Sequence, residues 1–147
     1  MAGIYIHVPF CKQACHYCDF HFSTSLNLKD DYLKSLEKEI ELRARDFRED
    51  IHTVYFGGGT PSILNAKELK SILDALSNYF TIAEKPEITL EANPDDLSLP
   101  KLQEFFVAGV NRLSIGVQSL NNHSLKWMNR AHNVQEARQS IRDAQKV

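Results

Sequence analysis

Cys11, Cys15 and Cys18 are the only cysteines among 147 residues, and all three fall in one stretch, IYIHVPFCKQACHYCDF. Spacings of four and three after a short apolar run place three thiolates on one loop, as a tripod open on its fourth side. An iron–sulfur cube held this way has three irons tied to the protein and a fourth free to bind something else. A zinc site needs a fourth ligand or an activated water, and His16 and His21 are near enough in sequence to supply one. A disulfide leaves one cysteine over, and short cysteine clusters also occur as unligated thiols. Cluster, zinc and free thiols are all compatible with the spacing. If metal ligation supplies the order of this loop, the stretch Lys12–His16 is expected to be mobile or distorted without metal.

Other residues could join such a site. Gly57–Pro61 reads GGGTP. Lacking a following Gly-Lys-Ser/Thr it is not a phosphate-binding P-loop, and with consecutive glycines it is not a dinucleotide fingerprint. It is either a tight strand-to-helix turn or a place where bare backbone lies against a ligand, such as the amino and carboxylate ends of an amino acid. Glu91 precedes Ala-Asn-Pro and is either an exposed strand-end carboxylate or an acceptor for ribose hydroxyls. Gln118 and Arg130 have weaker individual claims. Tyr17, between two cysteines, packs locally or lies against a bound group. Trp127 reads as core or half-buried surface, and His7, His123 and His132 as ordinary.

Composition narrows the class. Apolar residues make up 43% and charged residues 24% of the chain, enough for a core and too apolar for disorder. The formal charge is -2 with no Lys/Arg-rich block, so nucleic-acid binding through phosphate neutralisation has no support. No apolar run approaches membrane-spanning length and no leader pattern precedes a cleavage site, so the chain reads as cytoplasmic, where thiols stay reduced.

These residues need elements to position them. Ile4–Val8 is a strand that delivers the chain into the cysteine loop. Asn27 caps a helix over Lys29–Phe47, with Leu33, Leu36, Ile40 and Phe47 on one side. Ile51–Phe56 is a strand ending at the glycines, and Asn65 with Glu68 forms a capping box for the next helix. Glu87–Glu91 is the third strand. Ser98 caps a helix with Pro100 in its first turn and Gly109 at its end. Arg112–Val117 is the fourth strand, followed by a short helix at Asn122–Met128 and a last one opened by Asn133 and Glu136. The order β-α-β-α-β-α-β-α predicts an α/β fold, a partial (β/α) barrel with a parallel sheet, with a doubly wound sheet as the alternative. The cysteines, GGGTP, Glu91 with Asn93, and Gln118 each follow a strand, and the carboxyl rim of the sheet is where ligands bind in either fold. Four units do not close a barrel, so the fourth strand has an open edge at Ser114–Gly116 that invites another strand or self-association.

The motifs also carry a resemblance. CKQACHYC resembles the CxxxCxxC motif of the radical S-adenosylmethionine (SAM) superfamily, and GGGTP resembles that family's loop for the methionine amino group. YIHVPFC, CHYCDF, YFGGGTPS, LEANPDDL and RLSIGVQSLNNHSLKWMNRAH together resemble the oxygen-independent coproporphyrinogen III oxidase-like branch, from Tyr5 to Ala137. The resemblance implies that Cys11, Cys15 and Cys18 bind a 4Fe-4S cluster whose open iron is chelated by S-adenosyl-L-methionine. It implies Tyr5 near the sulfonium side, Gly58 against the first SAM, and Gly59 and Thr60 against cofactor on the same rim. Tyr17 matches an aromatic beside the cluster, and Glu91, Gln118 and Arg130 match acidic, amide and basic positions around SAM. The implied chemistry is one-electron reduction of the sulfonium to a 5′-deoxyadenosyl radical, with an electron donor for the cluster. Within the branch, oxidases resemble CxxxCxxCxC, whereas this chain has Phe20 at the last position. Together with GVQS and NRAH, that resembles the haem-chaperone group of the branch, which implies haem as cargo and haem-acceptor proteins as partners. The family fold is an incomplete barrel of six units with a C-terminal domain, so residues 1–147 are expected to be about four units of the core, with the remaining units and that domain absent.

Overall fold

Alternation starts the fold. In β1 (Ala2–Val8) Ile6 and Val8 are buried while Gly3 and Tyr5 are exposed, the period-two pattern of a strand with one face on a core. The computed structural model of the chain describes residues 2–45 and 47–147. β1 is followed by α1 (Lys29–Ala44), β2 (Ile51–Gly58), α2 (Ala66–Tyr79), β3 (Ile82–Ala92), α3 (Leu99–Ala108), β4 (Arg112–Ile115), α4 (Asn122–Trp127) and α5 (Val134–Ala144). Single 3-10 turns lie at Pro61–Ile63 and Pro94–Asp96.

All neighbouring strands are parallel, in the order β1-β2-β3-β4. α1 packs on α2, α2 on α3 and α3 on α5, so the helices form a continuous outer layer. A doubly wound sheet reverses its strand order and divides its helices between two faces. Sequential order with one helical layer is barrel geometry, and the partial (β/α) barrel expected from the sequence is what forms.

The two faces of the sheet differ in chemistry. Val54, Phe56 and Leu90 point toward the helices and are fully buried with Leu69, Leu76 and Phe105, each side chain of this kind contributing about 1.5–3 kcal/mol by burial. On the inner face, register aligns Tyr5, Tyr55, Thr89 and Arg112 in one row across four strands. Arg112 donates to Thr89 Oγ1 at 3.3 Å and to Glu87 Oε1 at 3.4 Å, so this face is polar rather than a second apolar core.

Several boundaries move for identifiable reasons. α1 has Leu28 at its N-cap position with no side-chain cap, so the cap expected from Asn27 does not form. The helix stops at Ala44, and Phe47 beyond it packs edge-on against Phe80 with centroids 5.6 Å apart. β3 begins at Ile82 instead of Glu87. Pro86 cannot donate to the ladder, the register shifts between Ile51 and Thr53 of the partner strand, and Asn111 bridges the gap by bonding Pro86 O and the Ile88 amide. β4 ends at Ile115, although the Gly116 amide still reaches Ala92 O at 2.9 Å. Both capping boxes form, at Asn65/Glu68 and Asn133/Glu136. Ser98 sits at the N-cap without a side-chain bond, and Gly109 closes α3 at φ 116°.

Candidate functional site

β1 and β2 run side by side and stop together, with Val8 opposite Gly58, so the cysteine loop and the glycine turn leave the sheet at adjacent points. The two are then bonded backbone to backbone. The Gly59 amide donates to Val8 O at 2.9 Å and the Thr60 amide to Phe10 O at 2.7 Å. Gly58 has φ 108°, and a Cβ there would lie 2.7 Å from the His7 ring. At Gly59 the obstacle is backbone and sulfur, with Phe10 O at 2.7 Å and Cys11 Sγ at 3.0 Å from a Cβ. These glycines let the turn lie flush against the first cysteine, a requirement of close approach as well as of turn geometry.

A cavity of about 340 Å³ opens at this rim. Cys11, Cys15 and Cys18 line it together with Tyr17, Gly58, Gly59, Thr60, Glu91, Gln118 and Arg130. Of the site residues that the resemblance implies, only Tyr5 lies off the cavity. It is 59% exposed on the inner face, stacks on Tyr55 with centroids 6.0 Å apart, and its hydroxyl lies 3.3 Å from His7 Nδ1. Tyr55 in turn donates to Glu91 Oε1 at 2.6 Å, so Tyr5 reaches the cavity through one intermediary. Donating to the Glu91 carboxylate pushes the Tyr55 hydroxyl pKa up.

Arg130 ties the rim together. Its Nη1 lies 3.3 Å from Cys15 Sγ and 3.2 Å from the Tyr17 hydroxyl, and its Nη2 donates to Asn93 Oδ1 at 2.6 Å and to Gly116 O at 2.9 Å. Its Nε is buried with no partner among the described residues, a donor that a bound polar ligand would satisfy. Gln118 adopts φ 62°, a left-handed conformation uncommon for a residue with a Cβ. Cys11 is buried, which pushes its thiol pKa up. The Thr60 hydroxyl, 3.2 Å away, opposes that shift, Cys18 and Cys15 add to it, and Arg130 opposes it.

Three thiols on one cavity can serve a cube, and the same thiols are the donors of a zinc site. One zinc ion draws every sulfur to about 2.3 Å from a common centre. Among the described residues no three His, Cys, Asp or Glu side chains converge in that way. A cube takes one sulfur per iron, and all three cysteines that would supply them line one cavity. His16, the zinc ligand of the rival reading, has its Nδ1 at 2.8 Å from Trp127 O.

Local sequence patterns did not mark several residues that the structure brings in. Asp96 has a fully buried side chain that accepts from Ser62 Oγ at 2.6 Å and pairs with Lys12, beside Cys11. Asn93, which the sequence places on the rim beside Glu91, links Thr60 to Arg130 through its two amide atoms, a role that only the structure shows. Trp127, expected as core or half-buried, is 71% exposed. His132 is the histidine that the fold draws inward: its Nε2 lies 3.1 Å from Val117 O, and its Nδ1 has no partner among the described residues.

The His132 environment gives a pH prediction. Burial lowers the pKa of His132 first, with Arg130 adding to the effect, while the Val117 carbonyl, Asp95 and Glu136 oppose it. The unfolded chain therefore binds this proton more readily than the folded one, near an unperturbed value of about 6.5. Stability from His132 is complete above that value and is lost as pH falls through it toward the lower folded value. The denaturation midpoint is expected to decline below about pH 6.5, and His132→Gln is expected to flatten that part of the profile. Parallel declines in both proteins would remove His132 as the cause.

A parallel β/α layer with a three-cysteine loop and a glycine turn facing one cavity on its carboxyl rim defines a protein of the partial-barrel class. The chain belongs to the radical SAM superfamily, whose family model matches residues 5–147. It is 39% identical to the heme chaperone HemW of Bacillus subtilis, over all of this chain and 40% of that protein. It is 38% identical to the mitochondrial radical S-adenosyl methionine domain-containing protein 1 of Danio rerio, over 99% of this chain and 33% of that one. Among solved structures, coproporphyrinogen III oxidase (HemN) from Escherichia coli, described as a radical SAM enzyme, superposes with a TM-score of 0.90 at 31% identity. That match covers 98% of this chain and 34% of the oxidase. The chain thus spans between a third and two-fifths of the length of these relatives. Among the described residues no helix is long and apolar enough to cross a membrane.

Proposed function

We propose that this chain is the cluster- and SAM-binding part of a haem chaperone. The observation that carries the reading is the convergence of three free cysteines, the glycine turn, Glu91, Gln118 and Arg130 on one cavity, although they come from five segments of the chain. Cys11, Cys15 and Cys18 hold a 4Fe-4S cluster, which when bound supplies the single electron of radical SAM chemistry. Gly58, Gly59 and Thr60 accept the amino-acid end of SAM against bare backbone. Glu91, steadied by Tyr55, accepts ribose hydroxyls, and Arg130 and Gln118 offer hydrogen bonds to the rest of the ligand. Tyr17 and Tyr5 flank the site, with Tyr5 acting through Tyr55.

The haem assignment rests on Phe20 and on the names of the relatives. Phe20 lines the cavity and is 69% exposed, where oxidases of the branch resemble a further cysteine. The length ratio supports reading residues 1–147 as about four units of a larger barrel core. In that reading a further strand or a second copy covers the β4 edge at Ser114–Gly116, and haem-acceptor proteins and an electron donor act in the cytoplasm as partners.

The structural likeness to coproporphyrinogen III oxidase favours a second reading, oxidative decarboxylation of a porphyrinogen. The anaerobically reconstituted protein is mixed with haem and an apo-acceptor, and separately with coproporphyrinogen III, SAM and a reductant. Haem binding and transfer without porphyrinogen turnover is the expected result. Stoichiometric carbon dioxide release, abolished by Cys15→Ala, would overturn the chaperone reading in favour of the oxidase.

A further inference from the structure

The cysteine loop is stitched to a distant part of the chain. Beyond the end of α4, Asn129 adopts φ 57°, a left-handed conformation that asparagine tolerates better than most residues. The turn brings the Asn129 side chain and the carbonyls of Trp127 and Met128 onto the loop between Cys11 and Cys18. Asn129 Nδ2 donates to Ala14 O at 2.7 Å. Gln13 Nε2 donates to Asn129 Oδ1 at 2.7 Å and to Asn129 O at 2.9 Å. The His16 amide donates to Met128 O at 3.2 Å, and His16 Nδ1 lies 2.8 Å from Trp127 O. None of these bonds involves a metal ligand's sulfur or requires a bound ion.

We propose that Asn129 is the positioning residue of the cysteine loop, holding the three cysteines close to their ligating arrangement before a cluster is built. The proposal rests on the cluster reading above, and it departs from the expectation that ligation alone orders Lys12–His16. Ordering a loop costs conformational entropy, and whichever contacts form first meet that cost. Here the contacts are between protein groups, so the metal-free loop is a cradle and cluster assembly does not have to fold it. Asn129 suits the role because one residue supplies the left-handed turn, a donor to one loop carbonyl and two acceptors for one loop side chain.

The test is residue-resolved amide exchange on the whole chain, made metal-free with chelator and thiol reductant under anaerobic conditions. In the wild type the His16 amide exchanges at least about tenfold more slowly than an unprotected amide. Asn129→Gly keeps the left-handed turn and removes the side-chain bonds, and His16 exchange rises about tenfold, with Phe56 and Leu90 of the sheet unchanged. Asn129→Asp keeps the acceptor for Gln13 and loses the donor to Ala14, and gives an intermediate rate, a graded response that a generally weakened fold does not produce. Reconstitution of Asn129→Gly with ferrous iron and sulfide is several-fold slower than wild type and reaches the same iron content. An unprotected His16 amide in the metal-free wild type, or equal His16 rates in all three proteins, overturns the proposal. Should Asn129→Gly unfold globally, Gln13→Ala, which removes two of the bonds from an exposed side chain, decides between the same outcomes. Wild type that shows His16 protection yet takes up no iron removes the cluster reading and leaves the loop's order established.

Discussion

Anaerobic reconstitution with ferrous iron and sulfide is expected to load about four iron and four sulfide per chain, with a broad absorbance near 400 nm, and Cys15→Ala is expected to lose at least nine-tenths of that iron. All three thiols are free and line one cavity, so in the proposed cluster each would ligate one iron. Removing Cys15 leaves two protein ligands and also deprives Arg130 of the sulfur it lies 3.3 Å from. No other cysteine exists in the chain to replace it. The zinc reading makes a different forecast: one zinc per chain that survives reconstitution, with His16 or His21 contributing. Retention of one tightly held zinc and no sulfide would sink the cluster assignment.

Gly59→Ala is expected to be more damaging than Gly57→Ala in the same glycine turn. The new Cβ would sit 2.7 Å from Phe10 O and 3.0 Å from both Val8 O and Cys11 Sγ. The two carbonyls are not free to retreat, because the Gly59 and Thr60 amides bond to them at 2.9 and 2.7 Å. Overpacking of this kind costs about 1–3 kcal/mol, or roughly 2–10 °C in Tm for a chain of this size. The displaced part is the segment carrying Cys11, so iron uptake falls along with stability. Gly57→Ala is the control. There a Cβ meets ring atoms of Tyr5 at 2.8 Å and Tyr55 at 3.0 Å, side-chain edges that have room to rotate, since Tyr5 is largely exposed. Thermal melts that rank Gly57→Ala as equal to or worse than Gly59→Ala would refute this account of the turn.

The sequence by itself determined the elements and the rim. Helical period and caps are local codes, and the boxes at Asn65/Glu68 and Asn133/Glu136 form where their residue types predict. The βα alternation sufficed for a parallel layer, and placing every polar motif just after a strand sufficed to collect them at one end of it. Local rules failed where the deciding partner was remote or the competing signal was weak. Asn27 has the type of a cap and does not serve as one, and Pro86 concealed a strand that Asn111 repairs from 25 residues away.

Only the tertiary structure decided which residues hold the site in place. Asp96 reads as one of two acidic residues in a turn, and its burial beneath Lys12 and Ser62 follows from where two strands happen to end. Tyr55 reads as a strand residue, and only the register shows it reaching from the Tyr5 ring to Glu91. Arg130 and Asn129 lie more than a hundred residues from the cysteine-loop residues they contact, Cys15 and Ala14. Hydrogen bonds across such separations leave no periodic trace in sequence. They exist because the parallel strands bring their carboxyl ends to one rim, and each loop there meets neighbours that its own residues do not specify.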